Sequence, residues 1–155
     1  VKLQLTIRSY DTAQQQRLLD GIMRVARGEA IAAGIPDALM PTFSQGAAAP
    51  PTLNDTPLAT RIKARFETLL GKPRVIDLDP SMASEDYNIF GTTLGIPSVI
   101  YWLGGVPQAK WDAAQAGGPA IPSLHNAGWA PDPAPPIATG VETMTAAATL
   151  LMPAK

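Results

Sequence analysis

The only histidine of this 155-residue chain, His125, lies in the stretch Ile121-Pro-Ser-Leu-His-Asn-Ala-Gly-Trp-Ala-Pro-Asp-Pro133. A neutral imidazole is a common metal ligand and a usual proton donor or acceptor near neutral pH. Two readings stay open at this point: a ligating or reactive imidazole on a loop, and an ordinary packed or surface histidine. The second group is Glu85 with Asp86. As neighbours on a regular element they would point apart, whereas in a turn both could line one cleft. The alternative is structural, with Ser84 or Asp86 capping a short helix that runs to Phe90. Asp132, between Pro131 and Pro133, reads as a turn residue. A zinc site needs about three or four ligands, and one histidine with scattered carboxylates does not visibly supply them. No serine sits in a nucleophile turn, which argues against a serine triad built on His125. Phosphate loop, GxGxxG and HExxH motifs are absent, and so is any internal repeat.

The elements that must position these residues are legible from periodicity. Val1, Leu3, Leu5 and Ile7 alternate with Lys2, Gln4, Thr6 and Arg8, a period-2 pattern that predicts a strand. Asp11 and Thr12 cap a helix whose stripe uses Leu18, Leu19, Ile22, Met23, Ala26, Ala30 and Ala33, stopped by Gly34 and Pro36. Residues 38 to 44 read as a short strand, followed by an extended linker stiffened by Pro50 and Pro51. Asp55, Thr56 and Pro57 start a second helix with Leu58, Ile62, Phe66, Leu69 and Leu70 on its apolar face. Residues 74 to 78 and the nearly all-apolar run Ser98 to Leu103 read as strands, the second covered on both faces. Residues 106 to 122 read as a loop forming a flexible rim. A capping box of Thr139 and Glu142 starts a final helix through Val141, Met144, Ala148 and Leu151. Together these predict an α/β architecture.

Composition limits the partners. Twelve basic against thirteen acidic residues, with no basic stripe, argue against nucleic acid and anionic membrane. No cysteine occurs, so disulfides and thiolate metal sites are excluded within the chain. No apolar run approaches the roughly 20 residues needed to span a bilayer. The expectation is a soluble protein of the cytoplasm or periplasm. Val1 opens directly on the strand pattern, and the expectation is a piece of a longer polypeptide.

Six segments together resemble a known family. Ile7-Arg-Ser-Tyr10, Gly28-Glu-Ala-Ile-Ala-Ala-Gly34, Pro51-Thr-Leu-Asn-Asp55, Met82-Ala-Ser-Glu-Asp-Tyr87, Ser123-Leu-His-Asn126 and Ala130-Pro-Asp-Pro133 resemble the C-terminal part of metal-dependent amidohydrolases of the aminoacylase, hippurate hydrolase and carboxypeptidase type. The resemblance runs nearly end to end in the right order. Its specific parts are the Ser-Glu-Asp-Tyr and Leu-His-Asn stretches.

The resemblance implies a zinc-peptidase-like α/β catalytic domain preceded by half of a ferredoxin-like lid, which in this family often also mediates dimerisation. Residues 1–48 would be the second half of that lid, 49–55 a hinge, and 56–155 the C-terminal part of the catalytic domain. His125 would be the last metal-ligand histidine. Ser84, Glu85 and Asp86 would line the substrate cleft, with Arg8 and Asn54 at its rim. The implied cofactor is a divalent metal, zinc first, with manganese, cobalt or nickel as alternatives. The substrate would be an N-acyl amino acid or short peptide, attacked at its amide carbonyl by metal-activated water that a glutamate deprotonates. That glutamate and the other ligands have no counterpart here, so no catalytic residue is assigned in this chain. The implied partners are the remainder of its own polypeptide and a second copy in a homodimer. The alternative, of a different class, is a non-catalytic binding or oligomerisation module using the strand at 1–9 or the helix at 12–33.

Overall fold

The computed structural model describes residues 1–46, 48–83 and 85–152. Among these residues five α-helices follow one another: α1 Thr12–Ala32, α2 Thr56–Leu70, α3 Asn88–Leu94, α4 Gln108–Gln115 and α5 Ala134–Leu151. Short 3-10 turns occupy Asp37–Leu39 and Lys72–Arg74. The chain divides into two compact units, one of residues 1–55 with 78–98 and the other of residues 56–77 with 99–155.

In the first unit, α1 begins where Asp11, in extended conformation, accepts a hydrogen bond from the Gln14 amide at 2.6 Å. This satisfies one of the orphan donors of the first turn. The helix ends in a Schellman motif, with Gly34 N donating to Ile31 O and Ile35 N to Ala30 O, both at 3.0 Å. Gly34 has φ 66°, which glycine adopts without a Cβ penalty. The short α3 closes the same way at Gly95, with Ile96 N donating to Gly91 O at 3.1 Å. The buried Asn88 opens α3 and donates its side-chain amide to Pro51 O. Asp55 N donates to Ser98 O at 3.0 Å, so the segment 51–55 is tied to the start of α3 and to the chain four residues beyond its end.

In the second unit, α2 packs on α5. Ile62 and Phe66, one turn apart, are buried on one side; Thr143 and Ala146 are buried on the other. Tyr101 joins them, its ring 5.0 Å from that of Phe66 in an edge-to-face arrangement. The Tyr101 hydroxyl lies 2.9 Å from Thr143 Oγ1, which donates to Thr139 O at 2.8 Å. A buried hydroxyl pair costs little when both members are satisfied in this way. Lys63 pairs with Asp77 at 2.5 Å on the surface. Residues 106–131 leave and return at a neck, where Asp132 N donates to Gly105 O at 3.1 Å. A methyl group on Gly105 would stand 3.1 Å from Pro131 Cβ and 3.7 Å from the Trp129 ring.

The α/β architecture and the ferredoxin-like half are corrected by this structure, which is all-helical, with no strand among the described residues. Residues 1–9, 74–78 and 98–103 make no sheet ladder, and 37–39, at the expected start of a strand at 38–44, form a 3-10 turn. Alternation specifies which side chains share a face once a strand is paired, but the backbone N–H and C=O groups still need a partner. No described segment pairs with these three as a neighbouring strand. The Thr139–Glu142 capping box is also corrected: α5 starts at Ala134, with Pro135 in its first turn, and Thr139 is interior. Proline fits there because that turn's N–H groups have no intrahelical acceptor. The expected rim at 106–122 contains α4, stabilised by Gln108 donating to Asp112 one turn on at 2.8 Å.

The packed core is small. Among the described residues Ala30, Ile62, Phe66 and Ala146 are the buried apolar side chains, while Ile137, Val141 and Met144 stay more than 60% exposed along one stripe of α5.

Candidate functional site

His125 lies at the third position of a tight turn closed by Asn126 N donating to Ser123 O at 3.1 Å. Its φ is 66°, which makes it the one non-glycine residue with positive φ among the described residues. Histidine visits this region more readily than most residues, yet the Cβ still contacts the following carbonyl. The turn continues through Asn126, whose side-chain Oδ1 accepts from Gly128 N at 2.8 Å and whose carbonyl accepts from Trp129 N at 2.9 Å. His125 itself is exposed, so the imidazole is held out from the surface on a bent backbone. Such strain concentrates at functional positions, because packing alone gives no reason to keep it.

Arg8, Asn54, Glu85 and Asp86 belong to the first unit and His125 to the second. Arg8 Nη1 donates to Met82 O at 2.5 Å, and Tyr10 donates its hydroxyl to Pro80 O at 3.2 Å. Two residues of the Arg8 segment therefore hold the backbone of the loop leading to Glu85. Glu85 and Asp86 are both exposed. Their carbonyls are engaged, Glu85 O by the Thr52 hydroxyl at 3.5 Å and Asp86 O by Ile89 N at 3.0 Å. Asp86 thus enters the start of α3 through its main chain. Ser84 lies outside the described residues.

Asn54 lines an open cavity of about 660 Å³ within the first unit, together with Tyr10, Pro51, Asn88, Thr92 and Ser98. Asn88 and Thr92 were not singled out by the sequence. Their one signal is the four-residue spacing that puts Thr92 over the Asn88 carbonyl, to which it donates at 2.9 Å. Gly91 sits between them because a Cβ there would meet Ser98 Oγ and stand 3.3 Å from Ile96 O.

Among the described residues, no three His, Asp or Glu side chains come together as a metal-holding group. His125 offers one donor toward the three or four of a zinc site. No helix of the described residues is long and apolar enough to cross a membrane. No family model matches the chain.

Proposed function

We propose that this chain is the C-terminal portion of a metal-dependent amidohydrolase that cleaves the amide bond of N-acyl amino acids or short peptides. In this reading His125 is one metal ligand, and the other ligands and the general base come from the remainder of the polypeptide. The observation that carries the proposal is His125 itself, an exposed imidazole on a left-handed backbone. The order of the six family-like segments along the chain supports it. A bound divalent ion would supply the Lewis acidity of the reaction. Arg8 supplies a fixed positive charge suited to a substrate carboxylate. Its bond to Met82 O uses one guanidinium nitrogen, so further donors on the group remain for a ligand. Asn54, Glu85 and Asp86 add polar groups to the same unit.

The second reading, a non-catalytic assembly module, draws support from the exposed apolar stripe of Ile137, Val141 and Met144 on α5. The two readings part at His125→Ala in the enzyme that contains this chain, with metal content and hydrolysis of an N-acyl amino acid both measured. Loss of metal and of turnover is expected, since alanine has no lone pair to offer. Wild-type values for both would remove His125 from the site and leave the assembly reading.

A further inference from the structure

We infer that Asn126 is a positioning residue that locks His125 in its left-handed conformation, an inference that rests on the ligand role proposed above. Left-handed backbone at a residue with a Cβ persists only where its surroundings over-determine it. Packing does not do so here, because Leu124 is 50% exposed and His125 and Asn126 are exposed as well. What remains is hydrogen bonding, and Asn126 is at its centre. Its N–H closes the His125 turn on Ser123 O, its side chain accepts from Gly128 N, and its carbonyl accepts from Trp129 N. The side-chain bond fixes Asn126 against the residues that follow, and the N–H bond fixes it against the residues that precede. His125 lies inside the turn that the N–H bond closes and directly before the residue that the side-chain bond anchors. The chemistry suits asparagine, whose short side chain reaches the amide two residues on, as aspartate also does. Gly128 fits the same purpose: a Cβ there would stand 3.2 Å from Asn126 Oδ1 and 3.6 Å from Pro122 Cγ.

The test compares Asn126→Ala with Asn126→Asp in the 155-residue chain, reading His125 φ from its backbone scalar coupling and Cα shift, and Gly128 amide exchange. Asn126→Ala is expected to move His125 out of the positive-φ region and to speed Gly128 exchange roughly tenfold, the effect of losing one hydrogen bond. Asn126→Asp keeps the acceptor and should retain both. If Asn126→Ala does not fold, Asn126→Gln decides, because its amide is one methylene too far out to close the same ring. A His125 φ that stays positive in the variant without the acceptor overturns the inference. In the enzyme containing the chain, Asn126→Ala should lower metal occupancy at limiting zinc, with occupancy restored by excess zinc. A moved φ with unchanged occupancy would refute the ligand role of His125 while leaving the backbone lock standing.

Discussion

Replacing His125 by glycine and by alanine should give an order of stability opposite to that at an ordinary exposed position. Both changes remove the imidazole, so the difference between them reads the backbone alone. At φ 66° a residue with a Cβ carries about 1–2 kcal/mol that glycine avoids. Glycine's freer unfolded chain offsets about 0.4–1 kcal/mol of that advantage. The left-handed contribution is larger, so His125→Gly should exceed His125→Ala by roughly 0.5–1 kcal/mol. That corresponds to about 1–4 °C in Tm for a chain of this size. Arg65, exposed within α2, is the control, and there glycine should be worse than alanine by about 0.8–1 kcal/mol. Trp102, Trp111 and Trp129 all lie in the second unit, so tryptophan fluorescence in urea follows the unit that holds both positions. An alanine variant at position 125 as stable as the glycine variant, with the Arg65 pair in normal order, would refute the left-handed assignment.

Phe66→Ala removes the largest buried side chain of the second unit and its edge contact with Tyr101. It should cost about 3–5 kcal/mol; a fluorescence midpoint shifted by the equivalent of less than 1 kcal/mol would contradict the packing described. The Lys63 pKa is raised above its usual 10.5, first by the hydrogen bond with Asp77 and then by the charges of Asp77 and Glu67, against the opposing effect of desolvation. Its contribution to stability is therefore fully present below pH 10.5 and lost as pH rises through the folded value. Lys63→Met should then run parallel to wild type in urea midpoint from pH 6 to 9 and converge with it only above that range; convergence near neutrality would contradict the pairing. The isolated chain should bind no stoichiometric zinc, because one imidazole falls short of the three or four donors required; one zinc per chain after dialysis would contradict this.

The helices were readable wherever local chemistry decides them. Asp11, Gly34 and Pro36 bracket α1, and Thr56, Pro57 and Gly71 bracket α2, each by capping or by φ preference that acts within a few residues. Strands are not decided locally, because a strand is a long-range object. The alternation of Val1, Leu3 and Leu5 records a demand for burial, and these residues remain 126%, 84% and 67% exposed. At the site, His125 could be chosen by residue type, but its positive φ could not, since no glycine or other sequence signal marks it. The cavity around Asn88 was invisible for a related reason: it is assembled from residues 10–12, 50–55 and 88–98, and no local pattern states that these segments meet.

The neck between Gly105 and Asp132 sets which parts of the His125 segment can vary. Residues 122–132 are bound by short-range hydrogen bonds and by the close approach of Pro131 and Trp129 to Gly105, so an insertion there would displace the imidazole. The hydrogen bonds of residues 106–121 run within α4 and the turn that ends it, as from Gly118 N to Ala113 O at 2.9 Å. Each doubling of a loop's length adds only about 0.6 kcal/mol of closure entropy. The stretch that carries α4 can therefore grow or shrink, altering what stands beside His125, while the turn that presents the imidazole stays unchanged. Diversity of reach and constancy of presentation are thus divided between two halves of one loop.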